Sequence, residues 1–239
     1  MTASPEALQR LHLLQLVSPA LPVGAFSYSE GLESLVQGGQ LATGAAVERW
    51  LLAELERGTL TMEAAALPQL MGALATWREG TGEGRWSARR QVIRRNGWLL
   101  ALREARESRN QHRQMGGSLL TLLGDLGWPL PSGPPGSATP PLAWPAAWAW
   151  ALVALAVPEQ AGVEAYLYSW VATQLSAAVR LVPLGPTEAQ RIQLRLAPRL
   201  AERAEALVHS SPDALWCGGV GAAMAQLGHG ELYSRLFRG

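Results

Sequence analysis

No segment of this 239-residue chain sustains the alternation of apolar and polar residues that a half-buried strand requires, and isoleucine occurs only at Ile93 and Ile192. Alanine and leucine, both strong helix formers, dominate instead. The chain is therefore expected to be all-α. A chain of this length buries roughly 70% or more of its extended surface, enough for one large helical domain or two small ones. No fixed-period repeat divides it and no boundary separates two halves. A single multi-helix bundle over residues 1–239 is the simpler reading.

Turn and capping residues place the elements. Ser4-Pro5 reads as the N-cap and first residue of a helix carrying Leu8, Leu11 and Leu14 on one face. That helix ends near Ser18, because Pro19 and Pro22 hold the residues before them extended. Ser27 and Glu30 have capping-box spacing for a short helix running to Gly38-Gly39. Thr43 caps a helix with the stripe Val47, Trp50, Leu51 and Leu55, and Gly58 separates it from one over Met62 to Arg78. Gly80-Thr81-Gly82-Glu83-Gly84 reads as a flexible connector before an arginine-rich helix from Ser87 to about Ser108. Another helix passes through Leu119, Leu120, Leu122 and Leu123. Seven prolines between Pro129 and Pro145 predict a long, flexible loop over residues 128–145. A helix from Glu159 to about Val182 follows. Thr187 and Gln190, again at capping-box spacing, open one through Ile192, Leu196, Leu200 and Leu207, which Pro198 is expected to kink. The chain closes with a short helix around Leu215 to Leu227 and an irregular tail over residues 228–239.

Composition excludes several functions. Between Asp125 and Glu159 no residue is charged, yet the apolar run Leu142 to Val157 is only 16 residues long and contains Pro145. Spanning a bilayer takes about 20, so a buried core helix is expected and no membrane association. Apolar residues make up 48% and charged residues 16%, which leaves little charge for a monomer's whole surface and points to partners covering part of it. A formal net charge of +1 provides no global field for nucleic acid. All 20 cationic residues are arginine; a phosphate-binding P-loop and a Schiff-base enzyme both need lysine, so neither is encoded. Cys217 is alone, which rules out an intramolecular disulfide and a cysteine-pair metal site. Met1 to Glu6 has no basic stretch before an apolar run, so the cytoplasm is the expected compartment.

A search for catalytic groups finds no constellation. His12, His112, His209 and His229 are far apart, with no pair at the spacing that puts two metal ligands on one helical face, and each reads as a surface or capping histidine. His209 with Cys217 makes an unsupported thiol–imidazole pair. Gly219-Val220-Gly221 lacks the third small residue of a dinucleotide loop, since Met224 stands there. Ser18 and Ser29 have no histidine near them in sequence, and nothing recommends either for a triad. Arg89, Arg90, Arg94, Arg95, Arg103, Arg106, Arg109 and Arg113 place a basic face on a helix, but Glu104 and Glu107 interleave with it and stacking aromatics are sparse. A solvated face with some ion pairs is expected there, or a partner-binding one.

Three stretches stand apart. Ser18-Pro19-Ala20-Leu21-Pro22-Val23-Gly24-Ala25-Phe26-Ser27-Tyr28-Ser29-Glu30-Gly31-Leu32-Glu33 makes a stiff loop, shaped by Pro19, Pro22 and Gly24, that leads to the aromatics Phe26 and Tyr28. Arg180-Leu181-Val182-Pro183-Leu184-Gly185 is the second. The third, Tyr233-Ser234-Arg235-Leu236-Phe237-Arg238, sets aromatic and cationic residues near the chain end, either as an interface anchor or as a clamp onto its own bundle.

In this order and at this chain length, the three resemble the urease accessory protein UreF family. The resemblance runs from about Leu11 to Phe237 and is loosest around the proline loop. It implies a cytosolic, all-helical, commonly dimeric maturation factor that is not itself an enzyme. Such proteins assemble with UreD (also called UreH) and the GTPase UreG to load nickel into apo-urease. No tightly bound cofactor or metal ligand is implied; nickel is cargo of the assembled complex. By the same resemblance, partner binding falls to Phe26, Tyr28, Tyr233, Ser234, Arg235, Leu236 and Phe237, with Pro19, Pro22 and Gly24 shaping the loop. Two mechanisms are open: a scaffold that joins UreD and UreG, or a regulator of GTP hydrolysis acting through Arg235 or Arg238. Outside the family, the alternatives are a generic helical adaptor, a weakly membrane-associated protein using Leu142 to Val157, and a metal-binding enzyme.

Overall fold

The computed structural model describes residues 4–138 and 140–238. Met1 to Ala3, from the start read for a leader, Thr139 of the proline loop and Gly239 of the tail lie outside the described residues. Among the described residues the regular elements are all helical, in the order α1 (Pro5–Leu16), α2 (Leu32–Gln37), α3 (Gly44–Arg57), α4 (Thr59–Glu79), α5 (Gly82–Ala101), α6 (Arg106–Asp125), α7 (Trp144–Ala154), α8 (Glu159–Leu181), α9 (Pro186–Val208) and α10 (Val220–Gly228). They form one all-α domain around one apolar core.

The centre is built from α4 and α7. Along α7, Ala146, Ala147, Ala149 and Ala151 are fully buried beside Trp148, Trp150 and Leu152, so this is the core helix expected from its composition. Pro145 sits in its first turn, where a missing N–H costs nothing, instead of interrupting it. Helices α5, α8, α9 and α3 pack around α4, while α6 packs along α7. Gly116 makes that last approach possible, since a Cβ there would collide with the Leu142 carbonyl. The indole N–H of Trp148 donates to the Gly162 carbonyl at 3.2 Å, which satisfies the polar atom of a fully buried ring. No helix among the described residues is long and apolar enough to cross a membrane.

Local signals held at some ends and failed at others. Ser4 Oγ accepts the Ala7 amide and Thr43 Oγ1 the Ala46 amide, each at 3.2 Å, as N-caps should. Neither capping box forms. Glu30 instead takes a positive φ of 49° and turns its carboxylate inward, and α2 begins after Gly31. At α9, Pro186 in the first turn does the work and Thr187 caps nothing. The glycine-rich connector is helical from Gly82 onward. The single arginine-rich helix is two: α5 ends at Ala101 and α6 starts at Arg106, because Arg103 turns into the core and Arg109 Nη1 donates to the freed carbonyls of Arg103 and Glu104 at 2.6 and 2.8 Å. Leu8, Leu11 and Leu14 do share one face of α1, but that face is exposed.

Side chains from the bundle hold several carbonyls of the proline loop. Trp77 donates to the Ser132 carbonyl, Arg89 to that of Ala138 and Trp150 to that of Trp128, at 3.2, 2.9 and 3.0 Å. Asn96, buried on α5, accepts from the Ala143 amide at 2.6 Å and donates to the Pro141 carbonyl at 3.3 Å, setting where the chain enters α7.

Candidate partner-binding surface

Three stretches that lie far apart in sequence meet at one end of the bundle. After α1 the chain makes tight turns, with the Leu21 amide on the Ser18 carbonyl at 3.0 Å and Pro19 and Pro22 exposed. Gly24, with φ at 74°, starts a single 3-10 turn over Ala25–Ser27. Gly31 has φ at 88°, and a Cβ on it would lie 3.0 Å from the Gln226 backbone nitrogen, so only glycine lets α10 settle against this turn. The reversal leaves Glu33 in the first turn of α2, buried and facing the returning C-terminus.

Glu33 organises the tail. Its Oε1 accepts the Leu236 amide at 2.6 Å, and Oε2 accepts the Phe237 amide at 3.1 Å and faces His229 Nε2 at 3.0 Å. Burial works against this charge, but the Leu236 amide, His229 and the Phe237 amide outweigh it and hold the carboxyl below its ordinary range. The other nitrogen of His229 faces Glu107 Oε2 at 3.2 Å, and the ring has no exposed surface. The imidazole thus lies between two carboxyl groups, one from α2 and one from α6. Glu107 Oε1 also accepts from Arg235 at 3.3 Å. The Arg238 amide donates to the Ser27 carbonyl at 2.8 Å, and Gln37 Nε2 to that of Ser234 at 3.0 Å. The guanidinium of Arg180, from the middle stretch, lies 4.5 Å from the centroid of the Phe237 ring, which is buried.

The expected partner residues thus separate into two groups. Tyr28 is buried and donates to Gln114 Oε1 at 2.9 Å; burial pushes its hydroxyl up, with the Arg238 charge opposing. Phe237 is buried in the clamp. Tyr233, Ser234, Arg235 and Leu236 face outward, with Tyr233 fully exposed. Phe26 is 71% exposed and takes no part in the clamp. Beside the tail, α10 turns Val220, Met224 and Leu227 to solvent at helical spacing.

Sequence reasoning missed the buried charges. His112 and His229 are core residues, not surface or capping ones; a histidine with no ligand-spaced neighbour carries no local sign that distant carboxylates will surround it. Deeper in, Glu63 and Arg103 are a buried ion pair. The arginines do not make one basic face: Arg89 and Arg103 are buried, and Arg95 pairs with Asp213 and stacks on Trp98.

Comparison with known proteins bears on what this surface belongs to. The family profile UreF matches residues 41–197. A protein of Trichormus variabilis named urease accessory protein UreF is 38% identical over 233 residues, covering 95% of each chain. One of the same name from Alkalilimnicola ehrlichii is 37% identical over 239 residues, with 99% of each covered. Another, from Prochlorococcus marinus subsp. pastoris, is 33% identical over 97% of this chain and the whole of its own. With the profile, the end-to-end matches and the helical bundle in agreement, the chain belongs to the UreF family.

Proposed function

We propose that this protein is a non-catalytic scaffold of urease maturation, a chaperone-like factor that joins UreD (UreH) and the GTPase UreG while nickel is inserted into apo-urease. The observation that carries the reading is the clamp: residues from three distant stretches hold the tail by its backbone and by Phe237, and leave Tyr233, Arg235 and Leu236 facing outward. Such an arrangement orders a surface largely through its backbone, with Arg235 also paired to Glu107. Tyrosine and arginine are frequent anchors of protein interfaces, and Val220, Met224 and Leu227 extend the apolar area alongside. In this reading the protein acts as a cytoplasmic homodimer, holds no cofactor of its own, and nickel is cargo.

The second reading, regulation of GTP hydrolysis, draws on Arg235, whose side chain remains 42% exposed near the chain end. Its pairing with Glu107 suits an anchoring residue, so the scaffold comes first. Co-purification with UreD and UreG tests the scaffold directly, comparing the intact chain with one ending at Leu232. The shortened chain is expected to keep its helical content and lose partner capture; undiminished capture refutes the reading. An Arg235→Ala protein that assembles normally but fails to alter the GTPase rate would reverse the order of the two readings.

A further inference from the structure

Between Asp125 and Glu159 the chain carries no charge, and the proline loop within that stretch covers two arginines one helical turn apart on α5. Arg89 is only 8% exposed. Its Nη2 donates to the Ala138 carbonyl at 2.9 Å, its guanidinium carbon lies 5.8 Å from the Trp77 ring centroid, and its Nε has no hydrogen-bond partner. Gly133 packs directly on it, since a Cβ there would fall 3.1 Å from that Nε. Arg85 is half-buried, with its guanidinium over Trp86 and its Nη2 3.5 Å from the Ser132 hydroxyl oxygen; its Nε has no partner either. Ser132 itself is exposed.

Among the described residues neither guanidinium has a carboxylate partner. Glu83, the nearest acid in sequence, is paired with Arg90, and Glu79 with Arg78. The buried Arg103 and the stacked Arg95 differ, for the first meets Glu63 and Glu30 and the second Asp213. Ring faces, a carbonyl and a hydroxyl give Arg85 and Arg89 contacts but no opposite charge. Cations desolvated beneath a loop that holds no acid are costly unless an anion answers them. Two guanidiniums call for two negative charges, which phosphate or sulfate supplies and a single carboxylate does not.

We propose that Arg85, Arg89 and Ser132 form a site for one phosphate-class oxyanion at the outer edge of the proline loop. The Nη groups of Arg85 donate to the anion, and the Ser132 hydroxyl turns its hydrogen towards it. Arg89 does not touch it; its charge acts from beneath Gly133, where little water screens it. An anion held by both α5 and Ser132 ties the proline loop to the bundle.

The test is calorimetric titration of the full chain with sodium phosphate, with sodium chloride at matched ionic strength as the control. Amide exchange at Ser132, Gly133, Gly136, Ser137 and Ala138 is followed in parallel. Saturable one-to-one binding is expected, with a dissociation constant of about millimolar order and slower exchange at those amides. Arg85→Gln is expected to weaken binding about tenfold or more, and Ser132→Ala to weaken it less. Both positions lie at the surface edge of the loop, so both variants are expected to keep their helical circular dichroism in chloride. Sulfate is expected to bind like phosphate, and acetate more weakly. No saturable heat up to about 50 mM phosphate, binding that neither variant weakens, or acetate held as tightly as phosphate overturns the proposal.

Discussion

Replacing Glu33 with alanine removes the acceptor shared by the Leu236 amide, the Phe237 amide and His229 Nε2. Each is a hydrogen bond to an ionised group, worth about 1.5–3 kcal/mol. The three do not add, because the released amides regain water once the tail lifts, so about 3 kcal/mol is a reasonable loss for tail docking as a whole. That corresponds to roughly a hundredfold increase in local opening. The bundle core stands apart from these bonds, since α4 and α7 contribute none of them. Amide hydrogen exchange reads both regions in one experiment: protection over residues 229–238 is expected to fall about a hundredfold, while protection in α4 and α7 stays unchanged. The pH dependence supplies an independent check. The Glu33 carboxyl is held below its ordinary 4.5, so the stability it contributes is complete above that value and lost as pH falls through its folded one. Acidification of the wild-type protein should therefore reproduce the opening seen in Glu33→Ala. If the alanine variant keeps full tail protection, the carboxylate is not what holds the tail, and Arg180 stacked on Phe237 with the Arg238–Ser27 bond suffices.

Three further outcomes follow from buried groups. Arg103→Met leaves Glu63 buried without its counter-charge and is expected to cost about 3–5 kcal/mol, read as a lower urea midpoint. Glu54 has the opposite sign from Glu33: its carboxyl is raised to about 7, so its contribution is complete below the ordinary 4.5 and lost as pH rises through about 7. Glu54→Gln should flatten the change in melting temperature between about pH 5 and about pH 7, and an unchanged slope contradicts the assignment. Gly31→Ala meets both a φ of 88° and the backbone of Gln226, and is expected to cost more than about 1 kcal/mol and to expose α10 amides to exchange.

Helices whose signals are local were legible. Thr43 before a stripe of Val47, Leu51 and Leu55 needs only the periodicity of one helix, and it formed as read. The run after Leu142 became a core helix because nothing in it tolerates water. Failures came where a local motif competed with a distant partner. Ser27 and Glu30 had the spacing of a capping box, yet Glu30 instead accepts from Trp170, at 3.1 Å, and from Gln111 and Arg103, residues 140, 81 and 73 positions away. A mutual cap on an exposed turn is worth about 1 kcal/mol, less than leaving a buried guanidinium short of acceptors. The same competition broke the arginine-rich helix at Arg103.

The sequence alone determined that the chain is helical, that it lacks lysine-dependent chemistry, and that its first, middle and last distinctive stretches resemble one family, because propensity, composition and motif order are properties of residues and their near neighbours. Tertiary structure decided that those stretches touch: Glu33 meets residues 203 and 204 positions away, and Arg180 covers Phe237. It also decided which charges are buried, since a carboxylate enters a core only where a cation or a set of amides is waiting for it. No spacing along the chain records that meeting.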